Sequence, residues 1–307
     1  MAAITPLDTV LHSTLTKSRK KLAFAAIKSN AFYAWATANN RLEFEDGGWE
    51  ITNPLIVGRN PNVGTYQYYE PVPIGQTNEL TTVRYSWSRF AGSLIISDQE
   101  QDENTGPSAI LKLLSVKMQV LEESMTEKFS TYLYGAGAGT DPYGLAALIP
   151  DDPTSGSIGG ISRVTERQWR TSAFDFDGGL DETNIEEAFD DVVMDLTVKK
   201  DSPDLWLVGR NLYRMYRAAV RSKFTIPLND GGGSGKAMYD LGFKGVTHGG
   251  VTMLYDEDCP VNKAYAINSK YIRMHVLKGV NFKVKELVAP WTIDAVGRRI
   301  IWQGQMC

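Results

Sequence analysis

The chain has 307 residues, 43% of them hydrophobic and 22% charged, with a formal net charge of −4; this is ordinary globular chemistry, and it excludes a chain that grips nucleic acid by overall positive charge. Only two cysteines occur, Cys259 and Cys307, which excludes a disulfide scaffold and fits a reducing compartment. The start, MAAITPLDTVLHS, lacks the basic and apolar regions of a signal peptide, and no apolar run approaches the roughly 18 residues of a membrane span, so a soluble protein made in a cytoplasm is expected.

Residues 1–40 are rich in Ala and Lys, with helical spacing around Leu22, Ala26, Phe32 and Trp35. They are read as an N-terminal arm, and its basic run Lys17, Arg19, Lys20 and Lys21 as a solvated face. Residues 41–103 lose the helical period. Val83, Tyr85 and Trp87 alternate with Arg84, Ser86 and Ser88, the pattern of a half-exposed strand, and Gly47, Gly48, Pro54, Pro61, Pro71 and Pro73 punctuate the rest. So long a stretch with little sign of its own core points to an extension that packs on another molecule.

The strongest helix signal follows. Ile110, Leu114, Met118, Leu121, Met125, Phe129 and Tyr132 form one apolar face, with Lys112, Ser115, Gln119, Glu122 and Thr126 opposite. Gly106-Pro107 suits its start, and Gly135, in the left-handed conformation, its end. A helix of about 40 Å over residues 107–134 needs a long partner surface, such as a sheet.

After a loop-rich stretch, Thr183 and Glu186 fit a capping box for a helix carrying Ile185, Phe189, Val192 and Leu196, which Ser202-Pro203 stops. Leu205–Val208 reads as a buried strand, and a helix runs from about Leu212 to Ser222. Residues 229–236 form a Gly-rich loop. Strands are then expected at Val251–Tyr255, Tyr265–Ile267, Ile272–Val276, Phe282–Glu286 and Arg299–Trp302.

Motifs that would carry chemistry fail at identifiable positions. The Gly235-Lys236 pair suggests a phosphate loop, but Asp230 stands where the leading glycine belongs and Ala237 where the hydroxyl belongs. The glycines from Gly135 miss the dinucleotide fingerprint at Thr140 and follow a helix rather than a strand. Asp175, Asp177, Asp181 and Glu186 mimic a calcium loop, but Leu180 replaces its turn glycine. The acidic run Asp98, Glu100, Asp102 and Glu103 is read as solvated. Cys259 with His248 is left as a nucleophile–base alternative. No enzyme, cofactor or metal is expected. Arg210, Arg214, Arg217 and Arg221 step by 4, 3 and 4 along one helix face; a solvated face, a carboxylate-rich neighbour and DNA phosphates all remain open for it.

The order of elements resembles the Hong Kong 97-type fold of tailed-bacteriophage major capsid proteins, an α+β architecture. Local wording supports this: Gly47-Gly48-Trp49, Asn53-Pro54-Leu55, Tyr66 to Tyr69, Tyr85-Ser86-Trp87, Asn104-Thr105-Gly106, Gly144-Leu145, Gly159 to Arg163, and Trp169-Arg170. The resemblance implies an N-terminal arm at 1–40 and an extended E-loop hairpin with its flanks at 41–103. It implies a P-domain at 104–175 with a spine helix at 107–134. An A-domain at 176–263 follows, with its axial loop at Asp230, Gly231, Gly232, Gly233, Ser234, Gly235 and Lys236. Return strands at 264–307 complete both domains.

The resemblance further implies a virion shell protein assembled in a host bacterial cytoplasm. Pentamers and hexamers of this chain would enclose double-stranded DNA held by non-specific contacts. A portal, a separate scaffolding protein and a decoration protein are its implied partners, and no membrane. E-loops lock neighbouring subunits, and Trp49, Tyr66, Tyr68, Tyr69 and Trp87 are the expected contacts. Some family members weld subunits through an E-loop lysine, but no lysine lies between Lys28 and Lys112, so locking is expected to be non-covalent. An encapsulin-like compartment and a soluble α/β nucleotide-using enzyme are the alternatives.

Overall fold

A computed structural model describes residues 30–72, 74–77, 79–97, 99–100, 107–176, 179–223, 245–286 and 295–307. The basic run at 17–21, the axial loop at 230–236 and Asp98, Asp102, Glu103 and Asp177 lie outside the described residues, as does the side chain of Arg221.

The first described element is helix α1 (Ala31–Ala38). Asn30 caps it, its Oδ1 accepting from the Tyr33 N–H at 2.9 Å. The Ala31 N–H donates to the buried carboxylate of Asp256 at 3.2 Å. Ala31 through Ala36 are all buried, so this end of the expected arm forms part of the principal core.

Strand β1 (Leu42–Glu45) follows, then the hairpin strands β2 (Glu50–Ile56) and β3 (Leu80–Ser86), paired antiparallel from Glu50↔Ser86 to Ile56↔Leu80. Strand β4 (Ser88–Ser97) leaves the hairpin and joins the main sheet. Helix α2 spans Pro107–Tyr134, the bounds expected from the sequence. From its apolar stripe, Leu121 and Met125 lie against Gly92 of β4 and Tyr132 against Phe90, and Met118, Met125 and Phe129 are buried. Gly92 lets the two approach: a Cβ there would stand 2.6 Å from Met125 Sδ. Two details of the expected helix are corrected. Glu122, placed on the solvent side, is buried, as are Leu133 and Tyr134, which lie outside the expected stripe; Tyr33 of α1 meets Phe129 edge-on, and the short helix α3 (Leu145–Leu148) packs in the same core. Gly135 does not adopt the left-handed conformation; Gly137 and Gly139 do. The close return of the chain instead requires glycine at 144: a Cβ on Gly144 would collide with Tyr132 O and stand 2.5 Å from the Gly135 backbone.

The main sheet runs β1, β11 (Met274–Leu277), β13 (Ala295–Met306), β12 (Lys283–Glu286), with β4 on the other edge of β13. Trp302 and Phe282 meet Phe129 edge-on, at 5.2 and 6.1 Å between ring centroids. A two-stranded ribbon, β5 (Ser157–Ile158) and β6 (Ile161–Ser162), and a 3-10 turn at Arg167–Trp169 cover the root of the hairpin.

A second sheet, in the order β10 (Ala264–Ile267), β7 (Leu205–Val208), β9 (Val251–Tyr255), β8 (Gly245–His248), carries helices α4 (Ile185–Leu196) and α5 (Arg210–Lys223). Strand β7 explains its own unbroken apolar run. Leu205 and Leu207 enter the principal core, while Trp206 and Val208 enter the second core with Phe189 and Tyr216. The expected capping box of α4 is not formed. The Asp181 carboxylate accepts from the N–H groups of Thr183 and Asn184 and from the Thr183 hydroxyl, so a charged acceptor upstream takes the groups the box would use. Helix α4 also ends at Leu196, before Ser202-Pro203, with Lys199 taking a positive φ in the turn. Among the described residues no helix is long and apolar enough to cross a membrane.

Candidate assembly surface

The hairpin has a packed root and an unpacked tip. At the root, alternate residues Ile51, Val83 and Tyr85 turn inward against Ile158. The Arg84 N–H donates to Gly159 O at 3.1 Å, and Gly159 has φ +61 with no room for a side chain beside Val83. The Val57 N–H donates to Glu79 O at 2.8 Å and carries the pairing one step beyond the strands. Past that point, apolar side chains face outward.

Tyr68 and Tyr69 are 96% and 104% exposed, and Tyr66 is 62% exposed. Tyr69 has φ +70, a conformation uncommon for a bulky residue, held by a turn in which Gln67 and Glu70 bond each other. Trp49, at the root, is 94% exposed. Trp87 differs. It is half-buried, packs on the root cluster and donates its indole N–H to Gly48 O at 3.1 Å. Four of the five expected contact aromatics therefore stand free, and Trp87 braces the chain's own hairpin.

Sequence reasoning missed further members of this surface. Ile56 and Leu80 are cross-strand partners on the outward face, and Val63 and Ile74 are exposed near the tip. Strand alternation carried the signal: Ile56 falls on the face opposite Ile51. Such a run of exposed apolar side chains is uncommon on a chain that works alone.

The arginines lie on α5 as their spacing requires. Arg210 and Arg214 are exposed and make no ion pair among the described residues. Arg217 is half-buried, its guanidinium 5.9 Å from the Tyr213 ring. One stripe thus splits into outward charge and a packed cation.

Cys259 and His248 do not form a nucleophilic pair. Cys259 lies in the principal core against the carbonyls of Leu207 and Lys263, and burial with the nearby Asp256 pushes its thiol up to about 12. His248 sits in the other core, its ring nitrogens 2.9 Å from the Tyr216 hydroxyl and 3.0 Å from Asp190. Glu100 of the acidic run pairs with Lys117 at 2.5 Å. Asp181 of the calcium-like spacing is engaged in the turn before α4.

No protein-family model matches the chain, and no curated protein matches it in sequence. Solved structures do match. The capsid asymmetric unit of cyanophage A-1(L) is 15% identical, with a TM-score of 0.63 over 87% of this chain and 86% of that one. The capsid of an empty GTA particle is 11% identical, with a TM-score of 0.53 over 87% and 90%. The capsid of the native GTA particle is 12% identical, with a TM-score of 0.50 over 89% and 86%. Across nearly its whole length, the chain shares the α+β fold of these capsid subunits.

Proposed function

We propose that this chain is a shell-forming major capsid protein of a tailed phage, with a structural rather than catalytic role. The supporting observation is the pairing of a capsid-subunit fold with a hairpin whose tip buries nothing of its own. Copies of the chain assemble into pentamers and hexamers of an icosahedral shell around double-stranded DNA. Each hairpin lies over a neighbour, and Trp49, Tyr66, Tyr68 and Tyr69 insert into it, giving large desolvated contacts at little entropic cost. The lock is non-covalent, because the hairpin carries no lysine to weld. The outward arginines of α5 meet a neighbour's carboxylates or the DNA. Portal, scaffolding and decoration proteins complete the head.

The test is replacement of Trp49, Tyr68 and Tyr69 together by serine. All three are exposed, so the subunit is expected to fold as before and to lose assembled particles in sedimentation. Normal shell yield from the triple variant overturns the assignment of this surface.

A further inference from the structure

Strand β1 turns its acidic residues inward. Glu43 and Glu45 are two apart, so they share one face, and both are half-buried while Phe44 between them is 55% exposed. The parallel pairing of β1 with β11 sets Glu43 beside His275, whose side chain is 4% exposed. His275 Nδ1 lies 3.1 Å from Glu45 Oε1 and 3.7 Å from Glu43 Oε2. The other oxygen of Glu43 takes the guanidinium of Arg273. One donor atom from each of the three residues lies within 4.8 Å of the others.

A hydrogen bond accounts for only one of the two approaches to the ring, and the Glu43 contact lies at ion-pair distance. A ring nitrogen holds at most one proton and can serve Glu45, but 3.7 Å to Glu43 exceeds hydrogen-bond range. A cation among the three accounts for both approaches. An ion with four ligands at about 2.0–2.1 Å separates neighbouring donor atoms by about 3.3 Å. The two separations from His275 Nδ1, 3.1 and 3.7 Å, bracket that length, and the two carboxylate oxygens lie within 4.8 Å of each other. The donor set also selects the ion. Calcium and magnesium take oxygen, whereas imidazole with carboxylates suits zinc and its neighbours. Arg273 orients Glu43 from outside, as outer partners of metal ligands do.

We propose that Glu43, Glu45 and His275 bind a divalent transition-metal ion of the zinc class, which clamps β1 to β11 at the root of the extended hairpin. Strand β1 is the edge of the main sheet and leads through Gly47-Gly48 into β2. The ion ties this edge down where the hairpin departs. The side chains of Glu43 and Glu45 are 35% and 42% exposed, which leaves the ion a path from solvent and a fourth position for water.

The test uses the full chain after chelator treatment. Zn2+ is titrated by calorimetry and Co2+ by visible absorption. One ion per chain is expected, with the visible bands of low-symmetry Co2+, a raised Tm and slower proteolysis around residues 46–49. Glu45→Gln is expected to weaken binding by at least about tenfold, judged from what loss of even an outer partner costs. Asp46→Asn, whose carboxylate pairs with Lys278 instead, is expected to bind as the parent does. Matching urea melts of parent and Glu45→Gln without metal establish that the variant folds. No saturable uptake, equal affinity in Glu45→Gln, an equal loss in Asp46→Asn, or a preference for Ca2+ or Mg2+ without the Co2+ bands each overturns the proposal.

Discussion

Asp256 shows how one buried side chain joins distant parts of the sequence. Its carboxylate accepts from the Ala31 N–H and from the Tyr134 hydroxyl, fixing the start of α1 and the end of α2 to one point. Burial raises its pKa above the ordinary 3.8, against the opposing hydrogen bonds from Tyr134 and the main chain. Asp256→Ala leaves the buried Ala31 N–H and Tyr134 hydroxyl, and the part-buried Asp258 N–H, without this acceptor, and is expected to cost about 1–3 kcal/mol for each buried donor. Asp256→Asn keeps an acceptor oxygen and is expected to cost less. The sign of the pH effect follows from the raised pKa. Just above pH 3.8 the native chain holds more protons than the unfolded one, so stability falls as pH rises through that window. Urea melts over that range should show the parent losing stability relative to Asp256→Asn as pH rises; the opposite trend contradicts the assignment. Gly159 is a second point of constraint. Alanine there meets Val83 and an unfavourable φ of +61, so Gly159→Ala is expected to lose at least about 1–2 kcal/mol in the same melts.

Elements were legible where packing follows a simple period. The α2 stripe repeats every three or four residues over a long run, and its bounds emerge from Gly106-Pro107 and the glycines after Tyr134. Strand β9, at Val251–Tyr255, matched as well. Elements built on long-range contacts were not legible in full. Residues 31–38 read as an arm because their burial depends on Asp256, more than 200 positions away. Strand β13 runs from Ala295 to Met306, well beyond the expected Arg299–Trp302, because Gly297, Arg298 and Gly304 interrupt the apolar pattern while the ladder to β4 continues through them. The capping box of α4 failed because a local carboxylate competed for the same groups. Phe129 lies at the centre of the α2 contact with three aromatic partners, so Phe129→Ala is expected to cost about 3–5 kcal/mol in thermal or urea unfolding. For α5, Arg210→Glu with Arg214→Glu is expected to impair assembly or packaging while leaving the monomer folded, since both are exposed; normal filled heads would favour a solvated face.

At the scale of the molecule, two cores share strand β7, and an extended hairpin leaves them with its apolar tip unburied. The order of elements made the fold legible, even though no sequence relative was found and the matching capsid structures are 15% identical or less. The candidate surface was legible through its aromatics. Exposure separated Trp87, which braces the root, from Trp49, Tyr66, Tyr68 and Tyr69, which do not. The outward apolar pair Ile56 and Leu80 became visible only with the strand register. The absence of lysine from the hairpin leads to a prediction for the whole assembly: shells boiled in denaturant should run as single chains on a gel, and a ladder of linked chains would contradict non-covalent locking.

The central claim is that this chain builds a closed shell. Electron microscopy of the purified protein, expressed alone and with scaffolding protein, tests it most directly. Closed icosahedral particles, with hairpins lying across subunit boundaries, are the predicted result. Small discrete particles at every concentration would contradict it.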